Sequence, residues 1–181
     1  NTLLLRGFSK MPSLQPFSER YRLKAACIAT YPMYRGLAKL VGMDVLQTGE
    51  TLAEQVRTLQ AARPDYDFFF FHIKKTDAKG EDGDFDGKVA ALEEIDRHVP
   101  AILEPGFDTV VFTGDHSTPA LLKSHSWHPV PFALLSPSAL PDSVTRFTER
   151  DCAKGILGRF PAREAMFLML AHSQRLQKFG A

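Results

Sequence analysis

Cysteine is scarce: Cys27 and Cys152 are the only two among 181 residues. Neither has the close spacing of a zinc knuckle or a redox pair, so both read as reduced thiols rather than a disulfide. There is also no surplus of one charge, with 22 Lys and Arg against 21 Asp and Glu and a net charge of +1. No field of that size gathers nucleic acid or an anionic membrane, and neither is expected as a partner. Phosphate chemistry, if present, must rest on local charge. Long apolar runs are missing too. The longest, residues 68–71 with Ile73, falls far short of the roughly 20 residues of a membrane span. The N-terminus lacks the basic, apolar and small-residue regions of a signal peptide, so a cytoplasmic protein is expected. It lacks an initiator Met as well: Asn1-Thr2-Leu3-Leu4-Leu5-Arg6 opens abruptly in strand-like residues, the expectation for a fragment or a chain cut from something larger. Internal repeats and low-complexity tracts are absent.

What is present is the composition of an ordinary globular protein, 44% apolar and 24% charged, with one domain as the default at this length. Short apolar runs rich in β-branched or aromatic residues predict strands over 2–5, 24–30, 67–73, 109–113 and 130–135. Helical patterns lie between and after them, over 34–40, 52–62, 88–103, 118–123 and 162–178. In the third, Val89, Leu92, Ile95, Val99 and Ile102 form a stripe that can lie on a sheet, with Glu93, Glu94 and Arg97 facing water. Alternating strands and helices predict an α/β fold with a mostly parallel, doubly wound sheet and helices on both faces.

Open sheets of this kind bind ligands where strands end at their carboxyl edge, and the densest polar clusters follow two apolar strands. The first cluster, HIKKTDAKGEDGD from His72, reads as a loop in which Asp77 and Glu81 flank a glycine-bearing turn and can converge on one hard cation. A carboxylate pair alone is more often a solvated acidic loop. An EF-hand is excluded, because the alternating ligand positions and the closing Glu are missing.

The second cluster is Thr113-Gly114-Asp115-His116-Ser117-Thr118-Pro119, followed by His125-Ser126-Trp127-His128-Pro129-Val130-Pro131. Adjacent Asp115 and His116 offer an oxygen and a nitrogen ligand from one support, and His125 returns another imidazole to the same edge. Each His alone would more often be a hydrogen-bonded surface or core residue. Thr118 and Pro119 have a plain structural use as the start of the helix expected after the turn. Mixed carboxylate and imidazole donors suit Mn²⁺, Zn²⁺ or Fe²⁺ better than Ca²⁺. Two clusters at one edge suggest two ions about 4 Å apart, an arrangement that serves phosphoryl transfer. Neither Ser117 nor Ser126 stands apart as a nucleophile.

Across nearly its whole length the chain resembles the archaeal-type 2,3-bisphosphoglycerate-independent phosphoglycerate mutases of the alkaline phosphatase superfamily. The resemblance is carried by NTLLLRG, KAACIATYPMYRGLAKLVGM, HIKKTDAKGEDGD, GDHSTP, HSWHPVP and GILGRFPAREAMFLML in that order. It implies an alkaline phosphatase-like fold, incomplete here, and two divalent ions, Mn²⁺ foremost with Mg²⁺ or Zn²⁺ as alternatives. One ion would be held by Asp77, Glu81 and His125, where Glu81 replaces the family's His and adds negative charge. The other would be held in part by Asp115 and His116. Arg6 and Arg35 match places that bind the substrate's carboxylate and phosphate, and a guanidinium fork suits either group.

The resemblance further implies that residues 1–181 are the C-terminal part of a phosphatase- or mutase-like domain. An early Asp and the nucleophilic Ser would lie N-terminal to Asn1, so this chain holds no catalytic nucleophile and alone is expected to be inactive. The expected activity of the whole is interconversion of 3-phosphoglycerate and 2-phosphoglycerate through a phosphoserine, with phosphoglycerate and the missing part of the enzyme as partners. The same scaffold could serve a homoserine kinase-like phosphotransferase or a phosphatase, or the chain could be a non-catalytic metal-binding fragment.

Overall fold

The computed structural model describes residues 10–176. The strand expected over 2–5, and with it Arg6, lies outside the described residues. The chain divides into two compact units, one up to Ile73 and one from Lys74 onward.

The first unit is a parallel sheet of β1 (Ala25–Ile28), β2 (Asp44–Val45) and β3 (Phe68–Phe71), in the order β2-β1-β3. β1 is buried at every residue, as an uninterrupted apolar run should be in the middle of a parallel sheet. β2, only two residues long, left no periodic trace in the sequence. The crossovers carry α2 (Pro32–Leu40) and α3 (Leu52–Ala62), and the short α1 (Phe17–Tyr21) precedes β1. Pro32 stands in the first turn of α2, where a missing N–H costs nothing, and Gly42 follows its end at φ 76°, a left-handed conformation that glycine adopts without strain. α3 begins with a capping box: the Glu54 N–H donates to Thr51 Oγ1 at 3.3 Å, and the Thr51 N–H donates to Glu54 Oε2 at 2.9 Å.

The second unit holds α4 (Lys75–Asp82), α5 (Phe85–Leu103), α6 (Glu149–Cys152), α7 (Ala165–His172), and an antiparallel pair of β4 (Val110–Thr113) with β5 (Phe132–Leu135). The α/β class stands, with a three-stranded parallel sheet; the β4–β5 pair runs antiparallel because their connection returns directly through a bridge between Ser117 and Ser126. That bridge also removes the helix expected over 118–123. Only one turn forms there, with the Leu122 and Lys123 N–H groups donating to the Pro119 carbonyl, and Lys123 at φ 50° ends it.

The segment read as a glycine-bearing loop around Asp77 is instead the helix α4. Gly83 closes it at φ 72°, and Asp84 then caps α5 by accepting from the Gly87 N–H at 2.9 Å. The helix escapes sequence reading because it is short and polar and has no apolar stripe. In α5 the expected buried stripe is displaced: Ala91 and Ile102 are buried, whereas Val89 and Leu92 are exposed. Of the helix expected over 162–178, residues 177–178 lie outside the described residues; the rest runs as a 3-10 turn, Ala162–Glu164, followed by α7, and Gln174 at φ 57° lies just past its end. Cys27 and Cys152 are both free thiols. No described helix is long and apolar enough to cross a membrane.

The capping box makes a measurable statement. Hydrogen bonds from the Thr51 side chain and backbone hold the Glu54 carboxyl below its ordinary range. A depressed carboxyl stabilises fully above its unfolded pKa and loses that contribution as pH falls through its folded value. Thr51→Ala should therefore lower the urea midpoint at neutral pH, and its gap from wild type should narrow below about pH 4. A gap unchanged across that range would show that the box contributes nothing through Glu54.

Candidate metal centre

Asp77 and Glu81 are four residues apart on α4, a spacing that puts both carboxylates on one helical face. His125 meets that face: its Nε2 lies 3.6 Å from Asp77 Oδ1 and 3.4 Å from Glu81 Oε1. His116 follows the end of β4 and faces two carboxylates, with Nδ1 3.8 Å from Asp77 Oδ1 and Nε2 3.5 Å from Asp115 Oδ2. The His116 and His125 rings lie 3.9 Å apart between centroids. Donor atoms of Asp77, His116 and His125 all fall within 4.8 Å of one another.

All five residues singled out as metal ligands are thus linked in one cluster. The sequence reading divided them into two sets, Asp77 with Glu81 and His125, and Asp115 with His116. The structure also brings His116 against Asp77, so His116 is the residue that joins the sets. The donor chemistry fits divalent cations: three carboxylates and two imidazoles converge, and negative oxygens facing ring nitrogens across 3.4–3.8 Å are arranged as ligands are around an ion.

Two further residues hold the cluster. Lys74, just before α4, donates its ammonium to Asp77 Oδ2. Thr118, read only as a helix start, is 4% exposed and donates its hydroxyl to Asp77 Oδ1. Gly80 allows this approach, since a Cβ there would overlap the Thr118 carbonyl. Burial pushes the Asp77 carboxyl up, but the hydrogen bonds from Lys74 and Thr118, with the charges of Lys74 and His116, outweigh it and hold the group below its ordinary range. The candidate serines are engaged elsewhere: Ser117 Oγ donates to the His128 carbonyl at 3.1 Å, and Ser126 Oγ lies 2.9 Å from His128 Nδ1. Arg35 belongs to the first unit, where its guanidinium donates to the Ala29 carbonyl just past β1 at 3.3 Å.

Residues 1–172 match the model of the metalloenzyme superfamily. The chain belongs to that superfamily. Among curated relatives, it is 52% identical over its full length to a protein of Aquifex aeolicus and 52% identical to one of Thermus thermophilus, each named "Probable 2,3-bisphosphoglycerate-independent phosphoglycerate mutase". The chain spans 45% of the length of those relatives. This superfamily member also superposes on a solved protein of Pyrococcus horikoshii with a TM-score of 0.90 and 32% identity, covering 98% of this chain and 50% of that one. A cofactor-independent phosphoglycerate mutase from Thermoplasma acidophilum shares the fold at a TM-score of 0.68 and 23% identity, over 90% of this chain and 39% of that one.

The depressed Asp77 carboxyl stabilises the folded state above its unfolded pKa, and that contribution fades as pH falls through the folded value. Replacing Lys74 by Met removes a hydrogen bond and a charge but leaves the burial. In metal-free protein the Asp77 side-chain ¹³C signal should then titrate at higher pH than in wild type. An unmoved titration would mean that the Lys74 pairing does not form.

Proposed function

We propose that this chain supplies the metal-binding part of an enzyme that interconverts 3-phosphoglycerate and 2-phosphoglycerate through a phosphoserine. In this reading residues 1–181 form the C-terminal part of the enzyme, and the nucleophilic Ser sits on polypeptide outside them. Two divalent ions are the cofactors, Mn²⁺ foremost, and the compartment is the cytoplasm. The observation that carries the reading is the convergence of Asp77, Glu81, Asp115, His116 and His125 in one cluster. The likeness to proteins named as mutases, over the whole chain at 52% identity, supports the same reaction class.

Bound there, a pair of ions would supply positive charge that offsets the phosphoryl oxygens and activates the attacking hydroxyl. The chain's own residues would do the rest. Asp77 and Glu81 present oxygens from one rigid helix, His125 faces both, and Asp115 faces His116 at the end of a strand. Elements of this kind hold ligands more tightly than a loop does. Lys74, already within reach of Asp77, offers an ammonium to a phosphoryl oxygen. Arg35 and Arg6 are proposed as ligands of the substrate's carboxylate or phosphate on the strength of the resemblance and the shape of the guanidinium.

The test is mutase activity with added Mn²⁺, for this chain and for this chain joined to the upstream coding region, with Asp115→Ala as control. The chain alone should be inactive. The longer protein should turn over, and Asp115→Ala should reduce its kcat/KM by about 10² or more, as loss of an electrostatic group at the reacting phosphoryl does. Hydrolysis of the phosphorylated substrate by the longer protein in place of isomerisation would replace the mutase reading with a phosphatase.

A further inference from the structure

The second unit is larger than the first, yet it has little interior. Among the described residues its only buried apolar side chains are those of Ala91, Ile102, Ala120 and Leu170, two of them no larger than a methyl group. The first unit, with fewer residues, buries all of β1 together with Phe17, Leu52, Val56 and Leu59. An interior as small as that of the second unit offsets little of the conformational entropy of ordering its segment. Apolar residues that would enlarge it are present but face water. On α5, Phe85, Val89 and Leu92 are 68%, 38% and 51% exposed. Their spacing, four residues and then three, puts them on one face. Exposed apolar residues scattered singly need no explanation, but a stripe of them along a 19-residue helix does. β4 repeats the pattern. Val110, Val111 and Phe112 form an uninterrupted apolar run of the kind a sheet buries on both faces, and none of them is buried.

We infer that the face of α5 formed by Phe85, Val89 and Leu92 is the seat of polypeptide of the same enzyme outside residues 1–181, and that this contact completes the interior of the second unit. The chain spans 45% of the length of its curated relatives, so more than half of such a protein is left to supply the cover. Linkage favours that occupant over a second copy of this chain. A stable dimer needs roughly 800 Å² from each partner, more than three side chains offer, whereas a segment of the same polypeptide meets the stripe at high effective concentration and needs no such area. The occupant is apolar, because the three side chains offer neither charge nor a hydrogen-bonding group. Only Gly83 and Asp84 separate α4 from α5, and Asp84 caps α5 through the Gly87 N–H. The seat is thus joined through one short turn to the helix that carries Asp77 and Glu81.

The inference rests on the reading of this chain as part of a longer enzyme, and its test is separable from the mutase assay. Leu92→Cys is introduced into this chain and into the chain joined to its upstream coding region, with Arg97→Cys, at an exposed position of α5, as control. Each protein is treated with a maleimide, and peptide mass spectrometry reads the labelling rate of the introduced thiol apart from those of Cys27 and Cys152. Leu92→Cys should label at least about tenfold more slowly in the longer protein than in this chain, as a site exposed only by local opening does, and Arg97→Cys should label equally in both. Equal rates for Leu92→Cys in the two proteins would overturn the inference. So would slow labelling in this chain alone that speeds up on dilution, the mark of a second copy on the face, and so would equal slowing of Arg97→Cys, the mark of general compaction. Leu92→Asp supplies a second measurement. It should lower the urea midpoint of the longer protein and leave that of this chain unchanged; a midpoint unchanged in both would also count against the seat. A longer protein that protects the Leu92→Cys thiol without isomerising phosphoglycerate ends the mutase reading and keeps the seat, and one that isomerises while the thiol labels freely does the reverse.

Discussion

The contact on which the rest of the second unit depends is the seating of Thr118 against α4. It places a buried hydroxyl between Asp77 and His116, and it is possible only because Gly80 presents bare backbone at the point of approach. The helix carries one set of acidic groups, and the turn after β4 carries the other set with an imidazole. Their close approach turns two polar segments of ordinary appearance into one cluster. Hydrogen bonds to the Thr118 carbonyl from Lys88 and to Asp77 from Lys74 tie the same point from the flanking side.

Charge explains why such a cluster is poised for cations. Asp77, Glu81 and Asp115 bring three carboxylates together with two imidazoles. Repulsion of this kind is tolerable where a positive group is present. Lys74 provides one for Asp77, and its hydrogen bond together with that of Thr118 outweighs the burial that would otherwise favour the protonated acid. In the proposed site, Glu81 would make the donor set richer in oxygen than an imidazole at that position, which would favour harder ions.

The first unit is built by different means. A fully buried central strand, parallel neighbours and capped crossover helices need no unusual charge arrangement. Local signals at Thr51, Glu54, Pro32 and Gly42 agree with the helices they bound, and agreement between local preference and final structure is what gives a chain one favoured fold.

The α/β class, the central strands and α3 to the residue were legible in the sequence, and so were the five acidic and imidazole side chains that meet in the cluster, because each rests on local information: an apolar run, a helical pattern, or a side-chain type. What escaped reading has one physical cause, dependence on partners distant in sequence. Residues 75–82 coil into a helix that no apolar period announces, and Gly80 within it packs on Thr118, 38 positions away. Residues 118–123 fail to form a helix because Ser117 pairs with Ser126 and the returning chain closes the turn. The exposure of Val89 and Leu92 follows from which face of α5 meets Ala91's neighbours, a choice that a stripe of apolar residues leaves open. Amino-acid type thus determined which residues can bind a cation, while the tertiary structure decided how they are grouped, since only packing places Thr118 between Asp77 and His116.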